Sequence, residues 1–334
     1  MLYRRLIKDS STHGGPISAK KLFANLLKYG FVAAIFYFLV RYLIGSWEEI
    51  AVEQIQVNVR VMASALLLFY FFYVVTGWLM TRIINDCGGN LDSVTGIRIW
   101  ALAMFGKYLP GKIWIVFGRI YLLAEQGIGK RITALSLMYE VLFQFFAAAL
   151  FIATLLPQMN IDLPFPDNFL IALWAGLVIS FVLILLSPRF INFFVAMFFR
   201  GREWQPLSIP PVCYKVTFVL KYLLLYYISW LFIGGGLFQL IKSLKPIGHE
   251  QLLGVMGLTV LAWLVGFVSV VTPGGLGVRE GALSYLLSSR LSAHLSVLVS
   301  LLSRVVLVVT EILFVLSFEF FYRFMKRRAK GESG

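Results

Sequence analysis

Long apolar runs separated by short charged loops dominate the sequence. Seven runs, Leu22–Ile44, Val59–Met80, Thr133–Leu156, Phe169–Leu186, Val216–Ile241, Leu252–Val271 and Leu295–Tyr322, approach or exceed the roughly 20 residues that cross a hydrocarbon core. Two shorter runs, Val94–Leu109 and Ile113–Leu123, flank Pro110-Gly111, and another short one, Ala282–Leu287, follows Pro273-Gly274-Gly275. No ten-residue alternation of apolar and polar positions suggests a β-barrel. The pattern predicts an all-α polytopic membrane protein.

Loop charge gives the expected orientation. The N-terminus, the stretch Arg82–Arg131, the connector Arg189–Lys215 and the C-terminus are basic, whereas the loops carrying Glu48, Glu49 and Glu53 and spanning Pro157–Asn168 lack Lys and Arg. The positive-inside rule makes the basic segments cytoplasmic, so both termini lie inside and the number of crossings is even. The sixteen residues before Pro110 reach only about 24 Å as a helix, short of the roughly 30 Å of hydrocarbon. A re-entrant hairpin with its tip at Pro110-Gly111 accommodates both short runs, and a second from the opposite face turns at Pro273. The expected architecture is about six full crossings plus two re-entrant hairpins, forming an inverted repeat of residues 59–156 and 216–322. An alternative of eight transmembrane helices divides the last segment near Leu302-Ser303, where neither Gly nor Pro stands. Basic segments 1–21 and 323–334 flank the membrane domain, 22–322.

Composition strengthens this picture. Of 334 residues, 60% are hydrophobic, and the formal net charge is +14. Juxtamembrane clusters carry much of that charge, which orients the protein and attracts anionic headgroups, with no nucleic acid implied. Cys87 and Cys213, the two cysteines, fall at expected cytoplasmic helix ends, so no disulfide is anticipated. The polar N-terminus precedes a run without a small-residue cleavage site, which reads as a retained anchor in a plasma (inner) membrane.

Ionisable residues inside apolar sequence are the functional candidates, because a charge at mid-bilayer costs about 2.5–3.5 kcal/mol on insertion scales. They are Lys107, Lys112, Arg119, Glu140, Arg279, Glu280, Arg304 and Glu311. With the breaks themselves, Pro110, Gly111, Pro273, Gly274 and Gly275, they describe an anion site of phosphate-headgroup size, since helix N-termini begin after each break. Arg119 and Glu140 form either a structural ion pair or direct substrate contacts. Arg304 and Glu311, seven apart, share a helix face; Lys107 and Lys112 either serve the site or snorkel. GKYLPGKI at Gly106–Ile113 is not a P-loop, because Ile113 replaces the magnesium-binding hydroxyl. GGLGVREG lacks dinucleotide-binding spacing. No catalytic constellation, metal site or cofactor is indicated, so an enzyme is not expected.

KYLPGKIW followed by Gly118-Arg119, Gly127 and Glu140, and later TPGGLGVREG, resemble the lysylphosphatidylglycerol synthase transmembrane-domain, or flippase-like, family. The resemblance covers about Leu22 to Tyr322. It implies a stand-alone membrane half, with no aminoacyl-transferase domain expected before Gly334, and translocation of a phospholipid or lipid-linked headgroup. The expected partners are membrane lipids, anionic or polyprenyl-phosphate-linked, and possible association with a lipid-modifying or glycosyl transferase. The alternative is a non-transporting partner that presents a polyprenyl-linked substrate to a glycosyltransferase or synthase.

Overall fold

The computed structural model describes residues 57–108, 113–159, 215–269 and 277–331 and a few isolated positions. The runs at 22–44 and 169–186 lie almost wholly outside the described residues, as do Pro110, Gly111, Lys112, Pro273 and Gly274. The described residues form eight α-helices: α1 (Val59–Asp86), α2 (Ser93–Met104), α3 (Ile113–Ala124), α4 (Lys130–Met159), α5 (Val216–Leu244), α6 (Leu252–Val268), α7 (Val278–Leu287) and α8 (Ala293–Gly331). Five segments, Val59–Asp86, Lys130–Met159, Val216–Leu244, His249–Val268 and Ala293–Arg328, are long and apolar enough to cross a membrane. The chain is a multi-pass membrane protein.

Local signals place the boundaries. The Asn58 side chain accepts from the N–H groups of Arg60 and Val61 at the start of α1, and Asp92 accepts from Thr95 N–H at the start of α2. Asn85 clasps the intervening loop by exchanging two hydrogen bonds with the Leu91 backbone. A 3-10 turn, Phe105–Tyr108, continues α2 towards the first Pro-Gly. α8 runs unbroken through Leu302-Ser303, the point at which eight transmembrane helices would require a turn.

The helices on either side of each Pro-Gly region run antiparallel. In the first hairpin, a Cβ added at Gly118 would meet Ala103, and one at Gly106 would meet the backbone of Ile115. In the second, Gly266 abuts Arg279 while Gly254 abuts Arg290. The absence of side chains at Gly106 and Gly266 allows the arms to approach this closely.

Contacts in α1–α4 recur in α5–α8. α1 packs on α2 and α5 on α6; α2 packs on α3 and α6 on α7; α3 packs on α4 and α7 on α8. Across the sets, α2 packs on α8 and α6 on α4. These partners run antiparallel. Arg98 of α2 pairs with Glu319 of α8 at 2.5 Å while Lys107, beyond the end of α2, meets Glu311 earlier in α8, and Gly254, early in α6, faces Gln158 at the end of α4. α1 and α5 are also antiparallel: Asn58 N–H donates to Ser243 C=O at one end, and Lys221 and Tyr222 bond Asp86 at the other. Corresponding glycines sit at corresponding contacts, Gly77 of α1 against Ile97 and Trp100 of α2, and Gly234 of α5 against Met256 of α6.

The tighter contact makes a prediction. A Cβ at Gly234 would lie 2.8–2.9 Å from Met256, including its backbone Cα. Gly234→Val therefore costs about 1–3 kcal/mol through overpacking, read as a lower thermal midpoint in detergent. An unchanged midpoint would contradict this contact.

Candidate functional site

A cavity of about 350 Å³ lies among the described helices, every one of which contributes to its wall. Its polar lining includes Lys107, Arg119, Glu140, Gln144, Arg279, Arg304 and Glu311. Charged residues next to both Pro-Gly regions thus meet in one space. Arg304 and Glu311 both line it, as their spacing along one helix face requires.

The first charge group ties α2, α3 and α4 together. Two guanidinium nitrogens of Arg119 donate to the two carboxylate oxygens of Glu140, one at 3.0 Å and the other, to Oε2, closer still. The Trp100 indole N–H donates to Glu140 Oε1 at 2.8 Å. Arg119 and Glu140 are buried. This is the ion-pair geometry that the sequence left open, a bidentate Arg–carboxylate fork.

The second group has a different form. Glu280, fully buried, presents Oε1 to two cations, Arg279 Nη1 at 3.4 Å and Arg304 Nη1 at 4.0 Å. Its Oε2 accepts the Gly277 N–H at 2.7 Å, closing the first turn of α7. Gly277 has φ +81°, left-handed backbone that only glycine adopts without strain. Ser300 Oγ of α8 donates to the Glu280 carbonyl at 2.6 Å, pinning α7 to α8. A Cβ at Gly266 would come within 2.8 Å of Arg279 Cβ, so that glycine lets Arg279 approach α6.

A third contact bridges the two sets. Lys107 Nζ lies 2.8 Å from Glu311 Oε2, linking the first hairpin to α8. Together Lys107, Arg119, Arg279 and Arg304 oppose Glu140, Glu280 and Glu311, leaving one formal positive charge in excess. Gly275, at φ +72°, is buried beside Gly266.

The remaining lining is apolar and aromatic, including Tyr73, Trp100, Trp263 and Phe267. Val141 and Phe267 are its exposed apolar members. Among the described residues, no group of three His, Cys, Asp or Glu side chains is arranged to hold a metal ion.

The match to a known family decides the classification: the family described as the lysylphosphatidylglycerol synthase TM region matches residues 25–314. The chain belongs to that family. No curated protein matches it. The family's membrane region is linked to lipid headgroup handling, and the cavity of this family member combines charge with an apolar and aromatic lining.

Trp100, Gln144, Gly266 and Ser300 were not singled out from the sequence. Trp100 and Gln144 stand in helices whose facing directions are fixed only by tertiary packing. Gly266 is one of several glycines in apolar sequence, and its neighbour Arg279 lies across a turn.

Proposed function

We propose that this protein translocates the headgroup of a phospholipid or lipid-linked molecule across the membrane by alternating access, without catalysing a reaction. The observation that carries the reading is the shared cavity: charges flanking both Pro-Gly regions converge there, between two sets of helices with matching contacts. Antiparallel packing of corresponding helices supports an inverted repeat of residues 59–156 and 216–322, the arrangement that places a transporter's site between its halves. The short helices α2, α3 and α7 support re-entrant segments alongside about six full crossings, with both termini cytoplasmic in an inner membrane. The apolar and aromatic part of the lining supports a lipid cargo, because a headgroup can meet the charged residues while its chains remain among apolar ones.

Two-sided access tests the reading. In a background with Cys87 and Cys213 replaced by Ser, Leu307→Cys on the cavity wall is expected to react with a membrane-impermeant thiol reagent applied to either face of sealed vesicles. Reaction from one face alone contradicts alternating access and favours a partner that presents a lipid-linked substrate.

A further inference from the structure

We infer that two arginine clasps are the gates of the cavity, Arg98 on Glu319 closing one end and Arg290 on the Gln158 carbonyl closing the other. The inference rests on the alternating-access reading and names the residues that control it. One helix places both clasps. Arg290 stands in the turn just before α8 begins at Ala293, and about 39 Å of helix separates Ala293 from Glu319. Arg304, Leu307, Val308 and Glu311, the α8 residues of the cavity wall, lie between them. The clasps therefore sit at opposite ends of the cavity.

Each clasp crosses between the two sets of helices. Arg98 of α2 pairs with Glu319 of α8, and its guanidinium carbon lies 4.2 Å from the centroid of the Tyr322 ring. Arg323 also bonds Glu319. Arg290, following the second hairpin, donates through Nη2 to the Gln158 carbonyl of α4, one of the last-turn carbonyls that have no partner within a helix. Gly254 of α6 lies against both groups. Since α2–α8 and α6–α4 are corresponding contacts of the two sets, one arginine secures each of them at the end away from the cavity.

These contacts are of the kind that parts at little cost. Arg98 and Glu319 keep 20% and 23% of their side-chain surface exposed, Arg290 is partly exposed and Gln158 is exposed. Water can solvate the separated partners, whereas parting the buried Arg119–Glu140 pair would leave desolvated charge. α1 and α5, by contrast, are pinned together at both ends, by Asn58 with Ser243 and by Lys221 and Tyr222 with Asp86. That contact is the pivot. Rocking about it to open either end of the cavity separates the sets there and parts the clasp. On the orientation proposed above, Arg98–Glu319, beside the basic C-terminus, faces the cytoplasm, and Arg290–Gln158, beside the loop without Lys or Arg, faces the other side.

The test uses the full chain in sealed vesicles, with Leu307→Cys on the cavity wall and Cys87 and Cys213 replaced by Ser. It reads the rate of modification by a membrane-impermeant thiol reagent applied to each face. Arg98→Ala and Glu319→Ala break one clasp from its two sides. Each is expected to speed modification from the cytoplasmic face about threefold or more and to slow it from the other. Arg290→Ala should do the reverse. So should Gly254→Ala, whose added Cβ would collide with Arg290 Nη2 and the Gln158 carbonyl. A contact that only stabilises the fold does not produce opposite shifts of access.

Unchanged rates in these variants, or a shift towards the same face whichever clasp is broken, overturns the gates. Opposite shifts with the two faces exchanged keep the gates and reverse the orientation. If the shifts appear as expected but wild type moves no lipid, the gates stand and the translocation reading falls. If wild type moves lipid while the variants leave access from both faces unchanged, the translocation reading stands and the gates fall.

Discussion

Glu140→Leu is expected to destabilise the protein by about 3–5 kcal/mol, whereas Arg119→Leu/Glu140→Leu should recover most of that loss. The single variant leaves the buried Arg119 guanidinium without the carboxylate that engages two of its nitrogens. Breaking a buried pair from one side costs several kcal/mol because the surviving charge remains desolvated, while replacing both partners with apolar residues is often neutral. Loss of the Trp100 indole's acceptor persists in the double variant and adds about 1 kcal/mol. Thermal unfolding in detergent, comparing wild type with both variants, measures the difference. A double variant as unstable as the single would show that Glu140 acts through something other than Arg119.

That pair also shows how far the sequence could be read. The runs Val59–Met80, Thr133–Leu156, Val216–Ile241 and Leu252–Val271 largely coincide with α1, α4, α5 and α6, because hydrophobicity, length and loop charge are local properties. The Pro-Gly breaks fall between α2 and α3 and between α6 and α7 for the same reason, since proline and glycine act on adjacent backbone. The shared helix face of Arg304 and Glu311 followed from helical periodicity alone.

Partnerships across helices were less legible. Lys107 meets Glu311 because the first hairpin packs against α8, and neither residue's surroundings in the chain encode that contact. Glu140 lies 30 residues after Pro110 and Arg304 lies 31 after Pro273, and the two occupy α4 and α8, helices with matching contacts. Their charges are opposite. The backbone arrangement recurs between the sets while the side-chain chemistry diverges, so a search for repeated residues finds little although the contacts repeat. The division between a closed Arg–Glu fork and two arginines around Glu280 required coordinates, because it depends on which oxygen faces which nitrogen.

Lipid translocation should fail when the cavity loses the charge of Arg279. Arg279 is buried, lines the cavity and shares Glu280 with Arg304. Arg279→Gln retains a polar side chain of comparable reach while removing the charge. A hydrogen bond to a charged group contributes about 1.5–3 kcal/mol, and each 1.36 kcal/mol of barrier changes a rate tenfold. If that contact is made in the rate-limiting step, transport should slow about tenfold to a hundredfold.

The most direct measurement reconstitutes wild-type protein and Arg279→Gln at equal density into liposomes carrying head-labelled phosphatidylglycerol, then follows access of an impermeant quencher to label initially on the inner leaflet. The account predicts transbilayer movement well above protein-free liposomes for wild type and its collapse in folded Arg279→Gln. Movement at the protein-free rate in wild-type vesicles, or at the wild-type rate in Arg279→Gln vesicles, would contradict it.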